Sequence, residues 1–265
     1  MDTKRLEGGK METVLFEKEG SIGIIKLNRP HRLNAITHQL LNELNQTLIA
    51  ARFDDGVTLV ILTGEGRAFC SGEDLKESAA GKSFEQWFKE SEGLQDTERN
   101  ILNLGKPIIA AVKGYAVGGG LEFAMSCDIR IAAEGTKFGF PETGVGLTVT
   151  QAGTKIMTQL VGLGKTKELI FTGEFIDSQE AFRIGLVNKV VPVDKLMEET
   201  MKMAKRILER SPLAIKLSRI AIDQGMSASF EQTLEIETDH LMLAVSSGKQ
   251  DSYIKAKVEK IGDKK

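Results

Sequence analysis

Residues 106–142 constrain this chain more than any other stretch. An unbroken apolar run, Ile108-Ile109-Ala110-Ala111-Val112, is followed by a triple glycine, Gly118-Gly119-Gly120, and then at once by Leu121-Glu122-Phe123-Ala124-Met125. A short continuous apolar run reads as a buried strand, and glycines ahead of an apolar segment read as a tight bend into a helix. A second strand then ends at Pro141-Glu142. Strand, bend, helix and strand in so little chain demand an α/β arrangement, and they allow two carboxylates twenty residues apart, Glu122 and Glu142, to face one cleft.

The flanking segments agree. Residues 13–27 alternate in polarity on either side of Glu19-Gly20 and predict a hairpin, which Asn28-Arg29-Pro30 ends. Leu40, Leu41, Leu44, Leu48 and Ile49 recur at helical spacing behind a capping Thr37, and residues 57–62 read as another buried strand. Residues 67–75 form the loop leaving that strand, where open α/β sheets meet ligands. A helix over 83–104 carries Phe84, Trp87, Phe88 and Leu94. Helices are predicted at 151–161, 165–171, 178–183, 193–210, 212–224 and 229–245, with one strand at 188–191. The pattern predicts an α/β core over 1–200 and a helical C-terminal module over 201–265. Residues 1–11 read as a loose polar tail.

Composition removes several function classes. Thirty-five basic against 37 acidic residues leave no basic surface balance for a nucleic-acid partner. No apolar run approaches the ~18 residues of a membrane span. The N-terminus lacks an apolar signal region, and two cysteines are too few for a disulfide framework, so a cytoplasmic protein is expected. Nucleotide signatures fail as well. Phe123 stands where the last glycine of a dinucleotide fingerprint belongs, Val149 spoils Gly144-Val145-Gly146 in the same way, and Gln159 occupies the first glycine of a P-loop ending at Gly164-Lys165-Thr166. Ser71 lacks the context of a nucleophile elbow because Phe69 replaces its first glycine, and Cys70 reads as a small packed residue. His31, His38 and His240 have no metal-ligand spacing, so no metal is expected.

Two interpretations of residues 118–122 stay open on the residues alone. In one, the glycines permit tight packing and Glu122 is a solvated helix residue. In the other, the first-turn amides of a helix beginning at the glycines form an oxyanion site, with a second donor from Ser71-Gly72-Glu73-Asp74. Glu122 and Glu142, brought together in a partly dry cleft, would then raise each other's proton affinity and act as acid and base.

Four segments, LNRPHRLNAI (27–36), RAFCSGEDLK (67–76), the 106–142 stretch and LIFTGEFIDSQEAFRIGLVNKVVP (169–192), together resemble the enoyl-CoA hydratase/isomerase (crotonase) family over about residues 14–258. The resemblance implies a crotonase-like α/β core of repeated ββα units and assembly as a homotrimer or homohexamer through the C-terminal helices. It implies hydration of a trans-2-enoyl-CoA to a 3-hydroxyacyl-CoA, with no cofactor beyond the coenzyme A of the substrate. Isomerisation or thioester hydrolysis on the same fold, and a non-catalytic or RNA-binding relative, are the alternatives.

By the same resemblance Glu122 and Glu142 are the catalytic carboxylates, and the backbone amides of Glu73 and Gly119 are the oxyanion donors. Substrate and coenzyme A contacts fall on Asn34, Ala35, Ser71, Gly72, Asp74, Lys76, Gly118, Phe140 and Thr150. The sequence departs from the family pattern at three of these positions. Thr150 stands where a glycine amide helps hold water, Glu73 puts a carboxylate side chain at an oxyanion residue, and Phe140, with Trp87 and Phe88, is expected to reshape the acyl pocket.

Overall fold

A computed structural model describes residues 11–262, so the tail expected over 1–11 lies outside the described residues except for Met11. The elements in chain order are β1 (Val14–Glu19), β2 (Ile22–Leu27), α1 (His38–Phe53), β3 (Leu59–Gly64), α2 (Leu75–Ala79), α3 (Phe84–Leu102), β4 (Ile108–Val112), β5 (Tyr115–Val117), α4 (Gly119–Ser126), β6 (Ile129–Ala133) and β7 (Lys137–Gly139). They continue with α5 (Gly153–Val161), α6 (Leu163–Thr172), β8 (Ile176–Asp177), α7 (Ser178–Arg183), β9 (Lys189–Val191), α8 (Leu196–Leu208), α9 (Pro212–Gly225), α10 (Phe230–Ser246) and α11 (Gln250–Gly262). The chain divides between Ala204 and Lys205 into two compact units, the division falling inside α8.

In the first unit a six-stranded sheet runs in the order β1-β2-β3-β4-β6-β9. The expected hairpin pairs Val14 with Leu27 and Glu19 with Ile22. Every other pairing in this sheet is parallel. Strands β3 and β4 are buried at every position, which is why their sequences are continuous apolar runs rather than alternating ones. Helix α1 starts as the sequence predicts, the Thr37 hydroxyl accepting a hydrogen bond from the Leu40 amide, and buries Leu40, Leu41, Leu44 and Leu48. A second, three-stranded sheet has the order β5-β7-β8.

Parallel pairing fixes where the site forms. Adjacent strands β2, β3, β4 and β6 all end at one edge of the large sheet, so their outgoing segments emerge side by side. Strand β3 discharges the loop carrying Glu73, β4 leads through β5 to the triple glycine, and β6 leads through β7 to Glu142. An isolated bridge between Cys70 and Ala116 ties the first of these segments to β5, and the β5–β7 pairing ties the second to the third. In the second unit α9 and α10 pack on one another.

Candidate active site

Two backbone amides are held open at this sheet edge. Gly118 caps α4 with φ 53° and ψ −128°, a conformation that only glycine adopts readily, and its amide bonds to Gly139 O at 3.0 Å. Its carbonyl accepts from Leu121 and Glu122 at 2.8 and 3.0 Å. The Gly119 amide between them has no acceptor among the described residues. In the loop after β3, Gly72 O accepts from the Ile36 amide at 2.8 Å and the Asp74 amide donates to Ile36 O at 3.3 Å. Those two bonds fix the peptides on either side of Glu73, whose own N–H has no acceptor among the described residues. A Cβ on Gly72 would stand 2.7 Å from Val117 O and 3.7 Å from Gly118 Cα, so the two loops meet only because Gly72 has no side chain.

The two carboxyls are close enough for the charge of Glu122 to act on Glu142. Glu122, 1 % exposed, points from the first turn of α4 into residues 150–153. Its Oε1 accepts from the Gln151 amide at 2.7 Å and the Gly153 amide at 3.2 Å, and Oε2 accepts from Gln151 Nε2 at 3.3 Å. Burial raises its proton affinity, while these donors and the Thr150 amide work in the opposite direction. A Cβ on Gly153 would lie 2.6 Å from Glu122 Oε1, so only glycine fits there.

Glu142 opens a short 3₁₀ turn, Glu142–Val145. Its Oε1 would lie 2.6 Å from a Cβ on Gly118, which puts the carboxyl beside the residue preceding the open amide of Gly119. Its Oε2 is buried without a partner among the described residues, as is Gln151 Oε1. Burial pushes Glu142 up to about 7, its own amide opposing and the charge of Glu122 adding. The charge of Glu122 thus favours a proton on Glu142.

The other expected contacts divide. Asn34, φ 56°, is completely buried, and its side chain is engaged within the protein. Its Nδ2 donates to the carbonyls of Glu65, Ala68 and Phe69 at 3.0, 2.8 and 3.1 Å, and its Oδ1 accepts from the Arg29 amide at 2.8 Å. Asn34 builds the loop rather than presenting a side chain to a ligand. Phe140 is likewise fully buried in the core, and Phe88 projects outward at 55 % exposure. Ser71 is half-buried and Lys76 exposed.

Ala35 O and Asp74 Oδ2 are joined through Arg29, whose guanidinium donates to them at 2.5 and 3.2 Å. Sequence alone marks Arg29 only as the end of a strand. Nor does it show the partners of the Glu73 side chain, which Ser78, Lys82 and, through Lys82, Glu90 surround. Cys70 is fully buried, its thiol pushed up to about 12 by burial, and is a packing residue as expected.

Paired strand-end loops on a mainly parallel sheet, a glycine-opened helix, a buried Glu122 and a half-buried Glu142 define a protein of the crotonase class. Comparison with known proteins agrees: a family model described as enoyl-CoA hydratase/isomerase matches residues 17–261, and the chain belongs to that family. It is 39 % identical over 261 residues to the short-chain-enoyl-CoA hydratase of Clostridium acetobutylicum, covering 95 % of this chain and 96 % of the relative. It is 40 % identical over 251 residues to the crotonyl-CoA hydratase of Syntrophomonas wolfei, covering 94 % and 96 %. The crystal structure of enoyl-CoA hydratase from Bacillus anthracis superposes with a TM-score of 0.90 at 35 % identity, covering 94 % of this chain and 96 % of that one.

Proposed function

We propose that the protein hydrates trans-2-enoyl-CoA thioesters to 3-hydroxyacyl-CoA. The observation that carries the reading is the combination of two amides without acceptors among the described residues, those of Glu73 and Gly119, with two glutamates of raised proton affinity, the buried Glu122 and the half-buried Glu142. The thioester oxygen is received by the two amides, each worth about 2.7–4 kcal/mol to a developing oxyanion. Glu122, ionised and aligned by the amides of Gln151 and Gly153, takes a proton from water as the water oxygen bonds to the β-carbon. The electron pair of the double bond moves into the thioester as an enolate. Glu142, neutral, gives its proton to the α-carbon. Proton exchange between the two carboxyls then restores the starting state.

The assay is loss of the conjugated enoyl thioester of crotonyl-CoA. Glu122→Gln and Glu142→Gln are each expected to reduce kcat by about 10²-fold or more, the usual effect of a positioned acid or base. Because Glu142 must be neutral to donate, the rate falls as pH rises through about 7. Full turnover by both variants would refute the mechanism, and migration of the double bond without hydration would reassign the activity to isomerisation.

A further inference from the structure

Glu73 poses a problem for the reaction just described. Its amide receives the oxygen on which negative charge develops, yet its own side chain is a carboxylate, covalently tethered beside that amide. In a site largely removed from water such a charge opposes an enolate. The structure contains the answer. Lys82, in the turn between α2 and α3, reaches back so that its Nζ lies 2.5 Å from Glu73 Oε1 and 2.5 Å from Glu90 Oε2. Its side chain is 8 % exposed, and the ammonium sits 4.6 Å from the centre of the Trp87 ring. Ser78 Oγ completes the shell on Glu73 Oε1.

We infer that Lys82 is a positioning residue for the reaction, cancelling the charge that Glu73 would otherwise hold beside the amide that stabilises the enolate. The inference rests on the hydration reading above. Three features support it. Lys82 is nearly buried, where an ammonium is retained only if it is paired. It has two carboxyl partners, and Glu90, pushed up to about 7 by burial and by Glu73, takes up a proton around neutrality, leaving the group of three without net charge. Glu90 stands one helical turn before Leu94, whose Cδ2 lies 3.7 Å from where a Cβ on Gly119 would be, so the group borders the donor loop and not a remote surface.

The neighbouring charges are engaged elsewhere. Asp74 pairs with Arg29, Glu85 with the exposed Lys89, and Lys76 and Glu77 are exposed to solvent. Ionisation of Glu90 above about 7 gives the group a net negative charge, which weakens enolate stabilisation on the alkaline side.

The test is a double-mutant cycle on crotonyl-CoA hydration. Lys82→Met is expected to lower kcat at least tenfold with KM within about twofold, because the charge acts on the transition state rather than on the bound thioester. Lys82→Arg should keep most of the activity. In a Glu73→Ala background, where the peptide N–H remains and the carboxylate is gone, Lys82→Met should change kcat less than twofold. Equal losses from Lys82→Met in both backgrounds would mean that Lys82 only holds the turn, and would overturn the inference while leaving hydration intact. A wild-type protein that does not turn over crotonyl-CoA would overturn both.

Discussion

Ser126 has one hydroxyl proton and two oxygens to serve. Its Oγ lies 2.7 Å from Glu122 O, one turn earlier on α4, and also contacts Glu98 Oε2 from α3. If the hydroxyl donates to the carbonyl, the bond to Glu98 must run from a carboxylic acid, so Glu98 is neutral. Its other oxygen has no partner among the described residues, a state far less costly for a neutral acid than for a carboxylate. Burial, with the charge of Glu122 adding to it, pushes Glu98 up to about 7. The folded protein thus binds this proton more tightly than the unfolded chain. The stabilisation is complete below the unfolded carboxyl's pKa of ~4.3 and is lost as pH rises through about 7. Its size is on the order of 3 kcal/mol. Glu98→Gln keeps the shape without the titration. Urea unfolding from pH 5 to 8 should therefore show wild type losing about 2–3 kcal/mol more than the variant. Parallel stability curves would exclude a neutral Glu98.

At the scale of elements, the entry into α5 decides how Glu122 is held. Ala152 caps this helix with φ 57° and ψ 13°, left-handed values that cost an alanine about 1–2 kcal/mol, while Gly153 next to it gives its amide to the carboxylate. The two positions should respond in opposite ways. Ala152→Gly is expected to stabilise the fold by up to ~1 kcal/mol, a rise in Tm of roughly 2–4 °C by calorimetry. Gly153→Ala, whose Cβ would stand 2.6 Å from Glu122 Oε1 and 2.7 Å from Val149 Cγ1, should reduce hydration by about 10²-fold. An active Gly153→Ala would mean that Glu122 need not be held where it lies. These elements also show where sequence stops being informative. Buried strands β3 and β4 and the leucine-bearing face of α1 are long enough to reveal a period, and they matched expectation. Strands β5, β7 and β8 have three, three and two residues, too few for any period, so of the small sheet that couples the site segments only a strand running to Pro141-Glu142 was expected, and β7 stops at Gly139. Helix α11, whose lysines obscure its apolar positions, was not among the predicted helices. Within the site, the triple glycine and Glu122 were legible because bend and apolar surroundings are local. Lys82 and Glu90 were not, since a charge that crosses a turn to meet Glu73 leaves no spacing behind it.

At the scale of the whole molecule, the second unit poses the remaining question. Among its described residues only Ala221 is buried, although α9 and α10 pack on one another. Ile222, Met226 and Phe230 are 67, 55 and 76 % exposed, and α10 adds Leu241, Met242, Leu243 and Val245 to the apolar surface. Polar helices that needed no partner would carry charge at such positions, and a chain with only two more acidic than basic residues has little net repulsion to keep copies apart. We therefore propose that this unit is completed by further copies of the chain, in the homotrimer or homohexamer that the family resemblance implies. Light scattering on the purified protein should give three or six times the 29.0 kDa of one chain. Leu241→Asp combined with Met242→Asp, which places charge where apolar surface would be buried, should shift the mass toward the single chain and lower Tm in a concentration-dependent way. A monomer at micromolar concentration, with a Tm independent of concentration, would refute assembly and require these side chains to be tolerated in water.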